Sequence, residues 1–401
     1  MLGAALGAQT PRADSRVTSQ ESRPSLAVYL ITVGEGSAVW EKFGHNSLWF
    51  VDSVAGVDEA YNWGTFDFKS PGFAWRFVTG ETRYWVERYP GQPLIDFFAN
   101  FDRTVELQRL NLTEAQAHKA LAFARINALE ANKYYRYDYF RDNCSTRVRD
   151  VIDMATDGAL KSATSTAMTP RSYRSESVRL VDDLGFAQYG LTAALGRPAD
   201  APISLWESAF VPMRLRDIVR DVRVTVNGQS QPLVTEERVV YTTKGHEERA
   251  DVPAIWLIPL IIGLALAIDL VGLGILGERH RGVDTAFRVE AAVFSAITGL
   301  AGAAILFAWL FTRHDFWASN ENLLLLNPLS LWLAPLAIQS MRHARWARPA
   351  AITAVLVTLC AAGALILKGI GGNQENVAVL ALAVPAHFAV AFGLWRRAVN
   401  Q

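Results

Sequence analysis

Two hydrophobic rhythms divide this chain. Up to about residue 250 the apolar positions are interrupted every few residues by charge, whereas from Pro253 to Trp395 long apolar runs alternate with short basic loops. The first rhythm suits a water-exposed domain and the second a membrane bundle. Runs at 253–276, 286–311, 322–340, 349–370 and 376–395 each approach the ~20 residues needed to cross a bilayer, which predicts five spans. Trp256, Trp309, Trp317, Trp346 and Trp395 lie near the ends of these runs, where indole rings favour the membrane interface.

In the first part, segments at 26–34, 46–52, 59–68, 82–89 and 104–112 are short, rich in β-branched and aromatic residues and bounded by Gly, Pro, Asp or Asn. They predict strands. "PGFAWRFVTG" predicts a short helix entered at Pro71 and stopped at Gly80, and Thr113 with Gln116 forms a capping box for a longer one carrying Leu121, Ala124, Ala128 and Leu129 on one face. Another helix follows "RDNC", capped by Asp142 or Asn143, with the apolar stripe Val148, Val151, Ile152 and Ala155. Cys144 then falls in its first turn. The polar stretch "KSATSTAMTPRSYRSES" predicts a loop, residues 202–220 a helix, and "VRVTVNGQSQPLVTEERVVYTT" a β-hairpin before the first span. The expected organisation is a truncated signal region or disordered tail over 1–24, an α+β domain over 25–160, helices and a hairpin completing it over 161–251, and a five-helix membrane domain over 252–401.

Charge adds an orientation. Lysine and arginine together number 39 and so do the acids, so there is no basic field of the kind that binds nucleic acid. Within the membrane part the basic residues are one-sided. Arg279, Arg281, Arg342, Arg345, Arg348, Arg396 and Arg397 occupy alternate loops and the tail, and the intervening loops hold only Arg313. The positive-inside rule puts the larger set in the cytoplasm and the N-terminal domain across the membrane.

Of two cysteines, Cys360 lies in the fourth expected span and Cys144 alone in the exported domain, so that domain has no internal disulfide. A helix N-terminus favours a thiolate, which predicts a lowered thiol pKa and a nucleophile. "KFGHNSLWF" supplies a partner: His45 at a strand entrance, a base to take the thiol proton. Each residue alone has a plainer account, Cys144 as a small buried hydrophobe and His45 as a satisfied polar side chain; together they form a dyad. Candidates for a third, orienting residue are Asn46, Asn62, Asp67 and Asp138, with Asn62 preferred. The aromatic run "YYRYDYF", with Tyr137, suits the wall of an acyl-chain site, and Arg136 and Arg141 suit a phosphate. His314, Asn320 and Asn322 lie in a loop on the domain side of the membrane, within reach of a lipid ester at headgroup depth. There is no HExxH and no Cys/His ligand spacing, so no metal or other cofactor is expected.

"FGHNSLWF", "YNWGTFDF", "FVTGETRYWV" and "NKYYRYDYFRDNCSTRVRD", with "TRHDFWASNENLLLLNPLSLW" in the membrane part, resemble the Lnb-type lipoprotein N-acylation transferase family. The resemblance is good over residues 26 to 155 and poor between 160 and 250. It implies a permuted papain-like domain, histidine before cysteine, followed by a membrane bundle in the bacterial inner membrane with the first domain in the periplasm. It also implies that Cys144 accepts an acyl chain from a phospholipid or lipoprotein donor and His45 acts as its base. The acceptor would be the amine of a lipoprotein's N-terminal cysteine. A lipid hydrolase or peptidoglycan amidase on the same dyad, and a non-catalytic membrane scaffold, are the alternatives.

Overall fold

The computed structural model describes residues 25–226, 228–245, 248–372 and 374–400; the expected tail or signal region over 1–24 lies outside the described residues. The strands form where the alternating pattern placed them: β1 (Ala27–Val33), β2 (His45–Asp52), β3 (Val57–Thr65), β4 (Arg83–Tyr89) and β5 (Val105–Leu110). A short β6 (Tyr134–Arg136) and the strand Val234–Tyr241 complete a seven-stranded sheet, in the order Val234–Tyr241, β5, β1, β2, β3, β4, β6. Every neighbouring pair is antiparallel.

Alternate side chains separate into two cores, because successive residues of a strand face opposite sides. Val28, Leu30, Leu48, Phe50, Tyr61 and Trp63 pack under α3 (Glu114–Asn127) and α4 (Cys144–Ala155). Ile31, Val33, Ala60, Val105 and Leu107 pack under α2 (Gly91–Asn100), which contributes Leu94, Ile95 and Phe98. The "PGFAWRFVTG" helix is α1 (Phe73–Thr79), closed by Gly80 at φ 72°. Thr113 and Gln116 cap α3 reciprocally, but its buried face is Ala117, Ala120, Leu121 and Ala124, and Leu129 is exposed.

Residues 161–177 are not the expected loop. They fall in a helix (Ala159–Thr164), a strand (Met168–Ser172) and a buried helix (Tyr173–Leu180). Their polarity is internal pairing: Arg174 meets Asp200 at 2.6 Å, and Glu176, fully buried, takes Arg179 at 2.7 Å and Arg214 at 3.1 Å. The expected helix over 202–220 breaks before Pro212 into Leu205–Ser208 and Pro212–Asp221. The expected hairpin closes within 223–232, and its continuation, Val234–Tyr241, leaves to pair with β5.

Five helices follow: Leu257–Leu276, Arg281–Phe311, Ser330–Arg342, Ala347–Gly369 and Val377–Val399. Among the described residues four helices are long and apolar enough to cross a membrane. The expected third span is the exception. At 13 residues the helix rises only ~20 Å, because Pro328 has no N–H and keeps the preceding turn from continuing as α-helix. The stretch before it is a 3₁₀ turn, Glu321–Leu324, and the Leu326 carbonyl lies where a Cβ on Gly302 would have to be. Arg396 with Glu278, and Arg397 and Arg288 with Asp284, gather at one end of the bundle. The loop 312–329 and Gln374 are at the other, bonded to the α/β domain through Gly196 N–H to the Phe316 carbonyl at 2.7 Å and Gln374 to the Leu195 carbonyl at 3.2 Å.

Candidate active site

Strand pairing brings the chemistry to one end of the sheet. His45 opens β2 opposite Val33, the last residue of β1, and Val33 in turn pairs with Val105, the first residue of β5. Cys144 opens α4, where Asn143 accepts hydrogen bonds from the Ser145 and Thr146 amides at 2.9 Å each. The Cys144 N–H is bonded to no protein acceptor among the described residues. Asn46, next to His45, accepts from Ser145 Oγ at 2.8 Å and donates to Thr32 Oγ1 at 2.9 Å. It thereby fastens the start of α4 to β2 and β1.

Gly64 measures how close the pair is. It sits at φ 94° where the β3–β4 register shifts, and a Cβ built on it would lie 3.3 Å from Cys144 Cβ and 3.8 Å from His45 Cε1. Both side chains therefore flank one point above the Gly64 backbone. His45 Nε2 is hydrogen-bonded to Asn62 Oδ1, which also accepts from Ser47 Oγ at 2.9 Å. An amide oxygen only accepts, so His45 donates from Nε2 and keeps the lone pair on Nδ1. Of the four orienting candidates, Asn62 alone is hydrogen-bonded to the His45 ring among the described residues: the Asn46 side chain bonds Thr32 and Ser145, Asp67 closes a turn on the Lys69 amide, and Asp138 accepts from the Phe140 and Arg141 amides.

The electrostatics correct one expectation. Cys144 is buried, and burial pushes its thiol up to about 11, outweighing the opposing amides of Asn46, Ser145 and Cys144 and the charge of Arg103. The helix terminus does not produce a resting thiolate. His45 is driven the other way, to about 4, by burial first and by Arg103 second, against the hydrogen bond to Asn62. The ring keeps partial contact with solvent while most of its shell is protein. At neutral pH the pair is a thiol beside a neutral base.

Arg103 was not visible as a site residue in the sequence. It lies just before β5, is 5% exposed, and donates from Nε and Nη2 to the Gly34 carbonyl at 3.0 and 2.9 Å. Its guanidinium is 5.3 Å from the Phe98 ring, which also packs against His45 at 5.6 Å. No carboxylate lies within ion-pair distance among the described residues. A lone arginine between a helix and a strand carries no sequence pattern.

The remaining candidates divide by place. Tyr137 stacks on Tyr84 at 4.2 Å; after burial, the larger cause, a charge on Cys144 helps raise the phenols of Tyr84, Tyr135 and Tyr137. Of the "YYRYDYF" run, Tyr135 and Tyr137 thus lie on the side of the sulfur, whereas Tyr139 and Phe140 pack against Phe316. Arg136 is exposed on β6, and Arg141 lies 3.5 Å from Asp315 and over the Phe316 ring, joining the domain to the bundle. His314 bonds the Phe77 and Val78 carbonyls at 3.1 Å. Asn320 and Asn322 are buried: their amides donate to the carbonyls of residues 192–194, and their oxygens accept from Gln374 and Asn376. These two hold the loop to the domain, and Asn320 also lines a cavity with Arg197, Trp309 and Glu321. Among the described residues no cluster of His, Cys, Asp and Glu could hold a metal ion.

Two family models match: the Lnb N-terminal periplasmic domain over residues 13–180 and the Lnb transmembrane domain over residues 251–384. No curated protein and no solved structure matches the chain. With both halves matched in order, the chain belongs to the Lnb family, as a membrane protein with a periplasmic N-terminal domain.

Proposed function

We propose that the protein is an acyltransferase of the bacterial inner membrane that acylates an amine, the N-terminal cysteine of a lipoprotein, through a thioester on Cys144. Family membership supports a lipoprotein-modifying role, and the order of His45 before Cys144 suits a permuted papain-like fold. The observation that carries the chemistry is the arrangement around Gly64, with Cys144 and His45 against the same point and Asn62 holding the His45 tautomer.

In the first half-reaction Cys144 Sγ attacks the carbonyl carbon of a phospholipid ester as His45 Nδ1 takes the thiol proton. With a thiol near 11 and a base near 4, the transfer accompanies bond formation rather than preceding it. The unbonded Cys144 amide is the donor for the developing oxyanion, and buried Arg103 favours negative charge at the site. The intermediate collapses, the alcohol of the lysophospholipid leaves with the His45 proton, and Cys144 is acylated. In the second half an amine attacks the thioester, His45 takes its proton, and the thiol departs as the amide forms.

Intact-mass analysis of protein incubated with phospholipid tests this. An acyl adduct on Cys144, removed by hydroxylamine and discharged by a lipoprotein amine, is expected; Cys144→Ser and His45→Ala should form none. Steady fatty-acid release without acceptor would identify a hydrolase instead. Full activity of Cys144→Ser would end the covalent mechanism.

A further inference from the structure

Around α1 the domain exposes aromatic rings that no described residue covers. Trp75 is 66% exposed and Phe77 56%; Trp40 and Phe68, also exposed, meet edge to face at 5.1 Å. Burying such rings in water-free surroundings is favourable, and a contiguous patch of them on a soluble face marks an interaction surface. Its position says what it meets. The α1 carbonyls are bonded by the residues that directly follow the second bundle helix: Arg313 N–H donates to Thr79 at 2.9 Å, and His314 holds Phe77 and Val78. Gly80 has backbone of Arg313 about where a β-carbon would touch it, and Arg313 pairs with Glu81 at 2.6 Å. α1 is therefore fixed at the level where that span ends in exposed Leu310 and Phe311.

Inward, the same rings lead to the sulfur. Phe68 packs on Phe66 at 4.8 Å, Phe66 stacks on Tyr84 at 4.9 Å, and Tyr84 on Tyr137. The geometry points to a lipid-inserting wedge: the aromatic face of α1, with Trp40 and Phe68, enters the leaflet on the domain side, and the Phe66–Tyr84–Tyr137 wall is the path by which an acyl chain reaches Cys144. The occupant is the bilayer that the bundle already spans, because the patch continues the lipid-facing surface of its second helix. Lys69, exposed beside Phe68, is placed to meet headgroup phosphate. The path half of the inference rests on the acyl-transfer reading; the insertion half does not.

Spin labels on the full-length protein in phosphatidylethanolamine/phosphatidylglycerol nanodiscs separate the two. In a Cys144→Ala, Cys360→Ala background, labels at Trp75→Cys and Phe77→Cys should collide more with oxygen than with an aqueous nickel reagent. A label at Val54→Cys, 93% exposed in the turn at the far end of β2, should do the reverse. Water-like access at 75 and 77, or shielding from both reagents as under a protein partner, overturns the insertion. With Cys144 intact, a Trp75→Ser/Phe77→Ser double variant should acylate about tenfold more slowly from vesicles and unchanged from a short-chain, water-soluble ester. Equal loss on both substrates, or on neither, overturns the α1 face as the entrance to that path. A wild type that forms no adduct from either defeats the acyl-transfer reading and leaves the depth measurement standing.

Discussion

Gly64→Ala tests the site at its tightest point. The substitution places a methyl carbon 3.3 Å from Cys144 Cβ and 3.8 Å from His45 Cε1, on backbone at φ 94°. Two costs follow. A side chain at such a φ strains the backbone by about 1–3 kcal/mol, which lowers the melting temperature by a few degrees, at about 2–4 °C per kcal/mol for a domain of this size. The first contact is closer than the ~3.5–4.0 Å preferred between carbons, so Cys144 must yield by a few tenths of an ångström while the methyl occupies the approach to the sulfur. Since a ~1 Å displacement of reacting groups costs about a hundredfold, acyl-adduct formation should slow by roughly ten- to a hundredfold. Gly56→Ala is the control: φ is 68° there, with nothing within 4 Å of the added carbon. It should share the thermal cost and keep the rate. The assay is time-resolved intact mass of the Cys144 adduct, beside a thermal melt of the same samples. A folded Gly64→Ala protein that acylates at the wild-type rate would show that Cys144 and His45 do not react across this point.

Other outcomes follow from the same geometry. Asn62→Ala should cut turnover by about 10²–10³-fold with little change in melting temperature, because His45 loses the acceptor that fixes its tautomer; Asn62→Asp should move the acid limb of the pH–rate profile upward, since a carboxylate favours imidazolium. In the wild type that limb should lie near pH 4, where His45 becomes protonated, and not near 6.5; a limb at 6.5 would contradict a largely desolvated ring under the influence of Arg103. The same depressed pKa makes His45 stabilising only while neutral: the unfolded chain takes up its proton first as pH falls through 6.5, so stability declines from there toward 4, and His45→Gln should flatten that decline in pH-dependent melts. Asn322→Ala takes one of two side-chain partners from each of the Thr192 and Ala193 carbonyls, which keep Arg174 and Asn320, and leaves the Asn376 amide without its acceptor; it should cost about 1–3 kcal/mol and expose the 312–329 loop to proteolysis. Reporter fusions should find residue 245 periplasmic and Asn400 cytoplasmic, and identical behaviour at both would refute the topology.

How much of this was legible in the sequence depended on the range of the interaction. Strand positions, the Thr113 capping box and the start of α4 at Asn143 follow from near neighbours, because alternation and caps act over a few residues. The membrane runs were legible for the same reason, apart from the third, where one proline and a glycine contact from another helix shortened the helix. Cys144 and His45 were legible as a candidate nucleophile and a candidate base by residue type and by resemblance. Only the tertiary structure decided their proximity, which depends on β2 beginning beside β1's end and on Gly64 bulging beneath both. It also reversed the expected state of the thiol, because burial is a property of the assembled domain and here outweighs the local helix terminus. Arg103 and the paired charges of 171–179 were illegible for a related reason: a buried cation and a solvated one look alike until the fold decides which surrounds it, and desolvation then fixes what each must pair with.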